Sequence, residues 1–173
     1  MFEELGVPVY YADDEAKRLM NDSTRIRSAV VELLGAAAYG DQGLNREYVA
    51  SRVFRDSRLL RALNAIVHPE VERHFAGWVL GQRAAYVIQE NPLLFEKGRQ
   101  SDYDAVVVVT APLEVRIARV MARDGVTREQ VLDRIKNQMD DALKVEKATY
   151  LINNSDLDTC REGVAAIHKE LLR

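Results

Sequence analysis

Residues 105–110 read Ala105-Val106-Val107-Val108-Val109-Thr110, four consecutive valines with no polar residue between them. β-Branched side chains are stiff at χ1 and sit better on a pleated strand than on a helix. The lack of polar alternation predicts a strand covered on both faces, as in a parallel sheet between layers of helix. Three further runs have the same character: Val7-Pro8-Val9-Tyr10-Tyr11, Ala85-Tyr86-Val87-Ile88 and Tyr150-Leu151-Ile152. Segments of helical pattern lie between all four, which predicts an α/β fold with a mostly parallel sheet and helices on both faces.

The segment between the first two runs, residues 13–83, is almost wholly helical in pattern and too long for a minimal crossover. It reads as an inserted helical subdomain over about residues 14–84, with breaks at Asn21-Asp22-Ser23, at residues 39–43 and at His68-Pro69. After the valine strand, Pro112 suits the first turn of a helix that Asp124-Gly125 stops. Thr127 and Gln130 form the pattern of a capping box for a helix reaching about residue 139. Asp156 or Asp158 is placed to cap a last helix, in which Val164, Ile167 and Leu171 recur at helical spacing. At the other end, residues 1–5 resemble the last turn of a helix, with Gly6 as its stop.

A chain of 173 residues with 47% hydrophobic side chains can bury a sizeable core, and one globular unit over residues 1–173 is expected. The net charge of -3 gives no general field for gripping nucleic acid or an anionic membrane, so any anion site must be local. Cys160 is the single cysteine, and no Cys-x-x-Cys spacing exists, which fits a reducing, cytoplasmic compartment. Neither a signal peptide nor a membrane span is expected, since the longest apolar stretch is interrupted by Thr110 and Pro112.

Several pieces occur in the order and spacing of the dephospho-coenzyme A kinases. They are Phe2-Glu-Glu-Leu-Gly-Val-Pro-Val9 leading to Ala12-Asp13, then His68-Pro69, Pro92-Leu-Leu-Phe-Glu96, Arg119-Val-Met-Ala-Arg-Asp-Gly125, Arg134-Ile-Lys-Asn-Gln138 and Tyr150-Leu-Ile-Asn-Asn-Ser155. The chain therefore resembles that family over nearly its whole length. The resemblance implies a P-loop kinase fold and transfer of the ATP γ-phosphate to the ribose 3′-hydroxyl of dephospho-coenzyme A, with ATP and Mg²⁺, the last step of coenzyme A synthesis. It also implies a glycine-rich loop ending in Gly-Lys-Ser/Thr that cradles the ATP phosphates. No such sequence is present, and by alignment it would lie one helical turn before Met1, so a truncated start with impaired activity is expected. A non-catalytic binder of coenzyme A and another small-molecule or nucleoside-monophosphate kinase are the rival readings.

Asp13 follows the first strand directly, and ligands in α/β sheets sit beyond the carboxyl ends of strands. Its residues alone read as a helix N-cap; the resemblance makes it the carboxylate that orients or deprotonates the attacking hydroxyl. Tyr11 stands where many members have the first Asp of Asp-Ala-Asp. His68 alone reads as a structural cap or packed ring, and the resemblance turns it toward the acceptor, with Arg73 reaching a phosphate. Pro92, Leu93, Leu94 and Phe95 read either as core or as the floor of the acceptor pocket. Glu90 occupies an acidic position that the resemblance connects with magnesium through water. Arg116, Arg119 and Arg123 share one helical face, ordinarily a solvated one with partners such as Glu114 and Asp124. The resemblance assigns Arg123 and Arg134 to charge neutralisation at the transferring phosphate, within a lid over about residues 123–147. It gives Arg119 and Asn154 to ATP, the latter at the base.

Overall fold

In the computed structural model, which describes residues 1–173, Val9–Tyr11 forms β1 and runs straight into α1 (Ala12–Asp22). The strand alternates, so Tyr10 is buried while Tyr11 is exposed. α1 stops where Ser23 turns extended, and the Ser23 hydroxyl then accepts the Ile26 N–H at 3.3 Å to cap α2 (Thr24–Leu34). The expected break at residues 21–23 is thus a cap junction. The next break, at residues 39–43, is a tight antiparallel hairpin of β2 (Tyr39–Gly40) and β3 (Gly43–Leu44). Asn45 caps α3 (Arg46–Val53) and Asp56 caps α4 (Ser57–Leu80).

α4 corrects the expected break at His68-Pro69, because the helix continues through Pro69. Proline inside a helix costs about 3 kcal/mol. Leu63, Val67 and Val71 recur every fourth residue and are all buried, and each such side chain contributes about 1.5–3 kcal/mol. Tertiary burial on both sides of the proline outweighs the local penalty. The same packing joins α1, α2, α3 and α4 around Ile26 and Val30, both fully buried. β4 (Ile88–Glu90) then pairs in parallel with β1, Val9 opposite Ile88 and Tyr11 opposite Glu90. It lies later than the run at residues 85–88, since the Ile88 N–H bonding Pro8 O at 3.0 Å fixes the register from the β1 side.

These elements make up one compact unit, Val7–Asn91; the other consists of Met1–Gly6 and Pro92–Arg173. In the second, Glu3–Leu5 is a 3₁₀ turn closed by Gly6 at φ 79°. β5 (Val107–Thr110) is followed by α5 (Leu113–Asp124), which has Pro112 at its N-cap and Gly125 in the left-handed region at φ 65°. Thr127 and Gln130 form both bonds of the capping box on α6 (Arg128–Lys136), which ends short of residue 139. α7 (Asp141–Glu146), β6 (Tyr150–Asn153) and α8 (Leu157–Leu171) complete the unit, Asp156 being the cap of α8.

β5 and β6 pair in parallel from Val107 opposite Tyr150 to Thr110 opposite Asn153. Val106 and Val108 pack with Phe95, and Val107 packs with the Ile152, Val164 and Ile167 cluster. The valine strand is therefore covered on both faces only as far as Val108. Val109 is 57% exposed, contrary to expectation, because the buried clusters of this unit take in Val106, Val107 and Val108 and do not extend to it. No helix is long and apolar enough to cross a membrane.

Candidate active site

In the Val7–Asn91 unit, the carboxyl ends of β1 and β4 bring acidic residues together. Tyr11 is the N-cap of α1 and makes no side-chain cap bond, so Asp13 lies inside the first helical turn and is not the cap. Asp14 is taken up by Lys17 at 2.7 Å, whereas Asp13 is exposed and without a partner. Glu90, in register with Tyr11, has its pKa raised by partial burial first and then by the negative charges of Asp13 and Asp14. The helix N-terminus favours the acids of its first turn, yet together they repel one another and leave the cluster short of positive charge.

His68 and Arg73 are five residues apart on an unbroken helix, about 140° around its axis. The structure does not bring them to one face. Arg73 is exposed and paired with Glu70. Beneath β1 lies a network with no spacing in the sequence to announce it. Tyr10 Oη is 2.9 Å from His74 Nδ1, and Arg18 Nη2 donates to His74 Nε2 at 2.9 Å. An arginine donating to Nε2 places the imidazole proton on Nδ1. Tyr10 then accepts it and directs its own hydrogen to Val71 O at 3.3 Å. Burial first, then Glu15, pushes the Tyr10 hydroxyl up to about 12.

In the other unit, Pro92, Leu93, Leu94 and Phe95 lie in a turn whose residues divide between surface and core. Leu93 is 40% exposed, and Phe95 is buried with Val106 and Val108. Phe95 therefore anchors the turn from below. Glu96 accepts the Met139 N–H at 2.9 Å and pairs with Lys144 at 3.1 Å. Burial alone would raise its carboxyl, but the Met139 N–H, its own backbone N–H and Lys144 hold it below the usual range. The turn is so tied to the segment that follows α6.

The three arginines on α5 separate. Arg116 pairs with Asp141. Arg119 donates to the carbonyls of Asn154 at 2.7 Å and Ser155 at 3.1 Å, bringing the two residues expected at ATP into direct contact. Asn154 N–H also bonds Thr110 O at 2.7 Å, so the loop after β6 is fixed from two sides. Arg123 grips Asp124 through Nε at 2.7 Å, and Arg134 Nη1 reaches the same carboxylate at 2.8 Å. Arg128 makes a two-pronged pair with Glu114, both bonds 2.7 Å, which links α6 to the start of α5. Arg128 and Lys144 had no signal in the sequence beyond their charge, since their partners are far away along the chain.

A family model described as dephospho-CoA kinase matches residues 1–159. The dephospho-CoA kinase of Salinibacter ruber is 42% identical over 158 residues, spanning 88% of this chain and 78% of that protein. That of Bacteroides fragilis (strain YCH46) is 35% identical over 155 residues, spanning 89% of this chain and 76% of the relative. Among solved structures, TT1252 from Thermus thermophilus superposes with a TM-score of 0.86 at 36% identity, covering 98% of this chain and 87% of that one. The dephospho-CoA kinase from Campylobacter jejuni gives 0.69 at 22% identity, covering 96% and 86%, which supports the shared fold.

Proposed function

The chain belongs to the dephospho-CoA kinase family, ATP-dependent enzymes of the P-loop kinase fold, and from that premise we propose that it transfers the ATP γ-phosphate to the ribose 3′-hydroxyl of dephospho-CoA. The observation that carries the residue assignment is the unpartnered Asp13 carboxylate at the carboxyl end of β1. Phosphoryl transfer asks for a group that orients the attacking hydroxyl and takes its proton, and most of the remaining work is positioning and charge neutralisation. Asp13 fills the first role. Arg123 and Arg134, on the lid of residues 123–147, fill the second, and Asp124 keeps their guanidiniums together.

Residues 14–84 take the acceptor, with Arg73 as a phosphate contact, His68 on the same helix, and Pro92, Leu93 and Leu94 as apolar contacts over Phe95. Arg119 serves ATP by holding the Asn154–Ser155 backbone, which leaves the Asn154 side chain for the base. Magnesium fits at Glu90, whose carboxyl is pushed up by burial and by Asp13 and Asp14. A divalent cation relieves that repulsion, and Mg²⁺ commonly takes one or two carboxylates with water and substrate phosphates. When bound it would neutralise charge on the ATP phosphates.

The test is a phosphoryl-transfer assay of the full-length protein with ATP and dephospho-CoA. Asp13→Asn is expected to lower kcat by about 10²–10⁴-fold while leaving dephospho-CoA binding intact. An unchanged kcat would remove Asp13 from the chemistry, and absence of 3′-phosphorylation in the unaltered protein would overturn the reaction itself.

A further inference from the structure

α2 and α4 pack side by side in the Val7–Asn91 unit. Along their seam opens a cleft of about 260 Å³, lined by Arg25 and Ile26 of α2 and by Ile66, Pro69, Glu70 and Arg73 of α4. One carboxylate serves two guanidiniums there. Arg25 Nε lies 3.0 Å from Glu70 Oε1, and Arg73 Nη1 donates to Glu70 Oε2. The Glu70 side chain is only 15% exposed, against 73% for Arg25 and 55% for Arg73. The carboxylate therefore sits low in the wall and the two cations stand at the rim, with one positive charge in excess.

Stability does not explain this arrangement. Ion pairs with so exposed a partner contribute little. Arg25 also stands in the first turn of α2, where no acidic residue accompanies it and the helix dipole disfavours a cation. Each guanidinium has five N–H donors, and the two together offer more than the single Glu70 carboxylate they share can accept. The remaining donors are available to an anion, and Glu70 restrains both side chains so that less freedom is lost on binding.

We infer that this cleft binds the diphosphate of dephospho-CoA and the start of its pantetheine arm, with Arg25 as a second phosphate-binding residue beside Arg73 and Glu70 as their positioning residue. This rests on the proposed function, since that reading supplies the acceptor. The size of the cleft limits what it holds. Pockets that enclose a whole small molecule run to about 300–1,000 Å³, so this one takes a portion of the acceptor. The diphosphate carries the charge for the rim, and the apolar chain beside it matches Ile26, Ile66 and Pro69.

Calorimetric titration of the full-length protein with dephospho-CoA tests the inference, with ADP as the control for the nucleotide site. Arg25→Ala is expected to weaken dephospho-CoA binding by about 10- to 100-fold, the loss of charge-assisted hydrogen bonds, and to reduce its salt dependence. Arg25→Lys keeps the charge without the fork and should fall between the two. ADP binding should not change, and pantetheine, which lacks phosphate, should bind the unaltered protein and Arg25→Ala alike. Dephospho-CoA binding to Arg25→Ala equal to that of the unaltered protein would overturn the subsite and leave the kinase reading standing. Failure of the unaltered protein to bind dephospho-CoA while ADP still binds would overturn the acceptor assignment and the subsite with it.

Discussion

Asp124 joins two arginines that the sequence separates, Arg123 at the end of α5 and Arg134 in α6. The Arg123 and Arg134 guanidiniums hold its carboxyl well down, from 3.8 to about 2. A depressed folded pKa means that the contribution is complete above the unfolded value and lost as pH falls from there through the folded one. The Asp124 contacts should thus persist to below pH 3.8 and disappear around pH 2. A carboxyl-detected NMR titration of Asp124 reads this directly, with a midpoint near 2 expected and an upward move in Arg134→Ala. A midpoint at the ordinary value would mean that the two arginines are not held there. Arg119 teaches a different lesson, because its charge is spent on two backbone carbonyls and so acts by fixing a loop.

At the scale of elements, local signals located most helix ends. Thr127 and Gln130 form both bonds of the capping box, and Gly125 takes the positive φ that stops α5. These devices depend on atoms within four residues, so they are legible without tertiary knowledge. Thr127→Ala removes an N-cap, which should destabilise α6 by about 0.5–2 kcal/mol. Hydrogen exchange would register this as faster exchange of α6 amides with α5 unaffected, and equal loosening of both helices would contradict a local role. α4 is the opposite case. Its Pro69 is a local stop signal, and the buried side chains before and after it override that signal.

For the whole molecule, the two units have separate buried clusters, one centred on Ile26 and Val30 and the others on Ile152 and on Phe95. Ile26→Ala should lower the stability of the Val7–Asn91 unit by about 2–5 kcal/mol, transfer and cavity terms together. Native-state hydrogen exchange resolved along the chain would measure it, and a loss under 1 kcal/mol would mean that the site collapses to fill the space. The sequence by itself left the cap of α8 between Asp156 and Asp158 and set β4 too early, but it determined the α/β class, the strands β1, β5 and β6, the cap of α6 and, through its ordered motifs, the kinase family. Each of these rests on periodicity, on atoms a few residues apart or on a linear pattern. The tertiary structure alone decided the continuity of α4, the exposure of Val109, the burial of Phe95 beneath its turn, the separation of His68 from Arg73 and the pairing of Arg25 with Glu70. Those outcomes depend on which distant element covers a side chain or offers it a charge, and that is set by packing in three dimensions, not by neighbours along the chain.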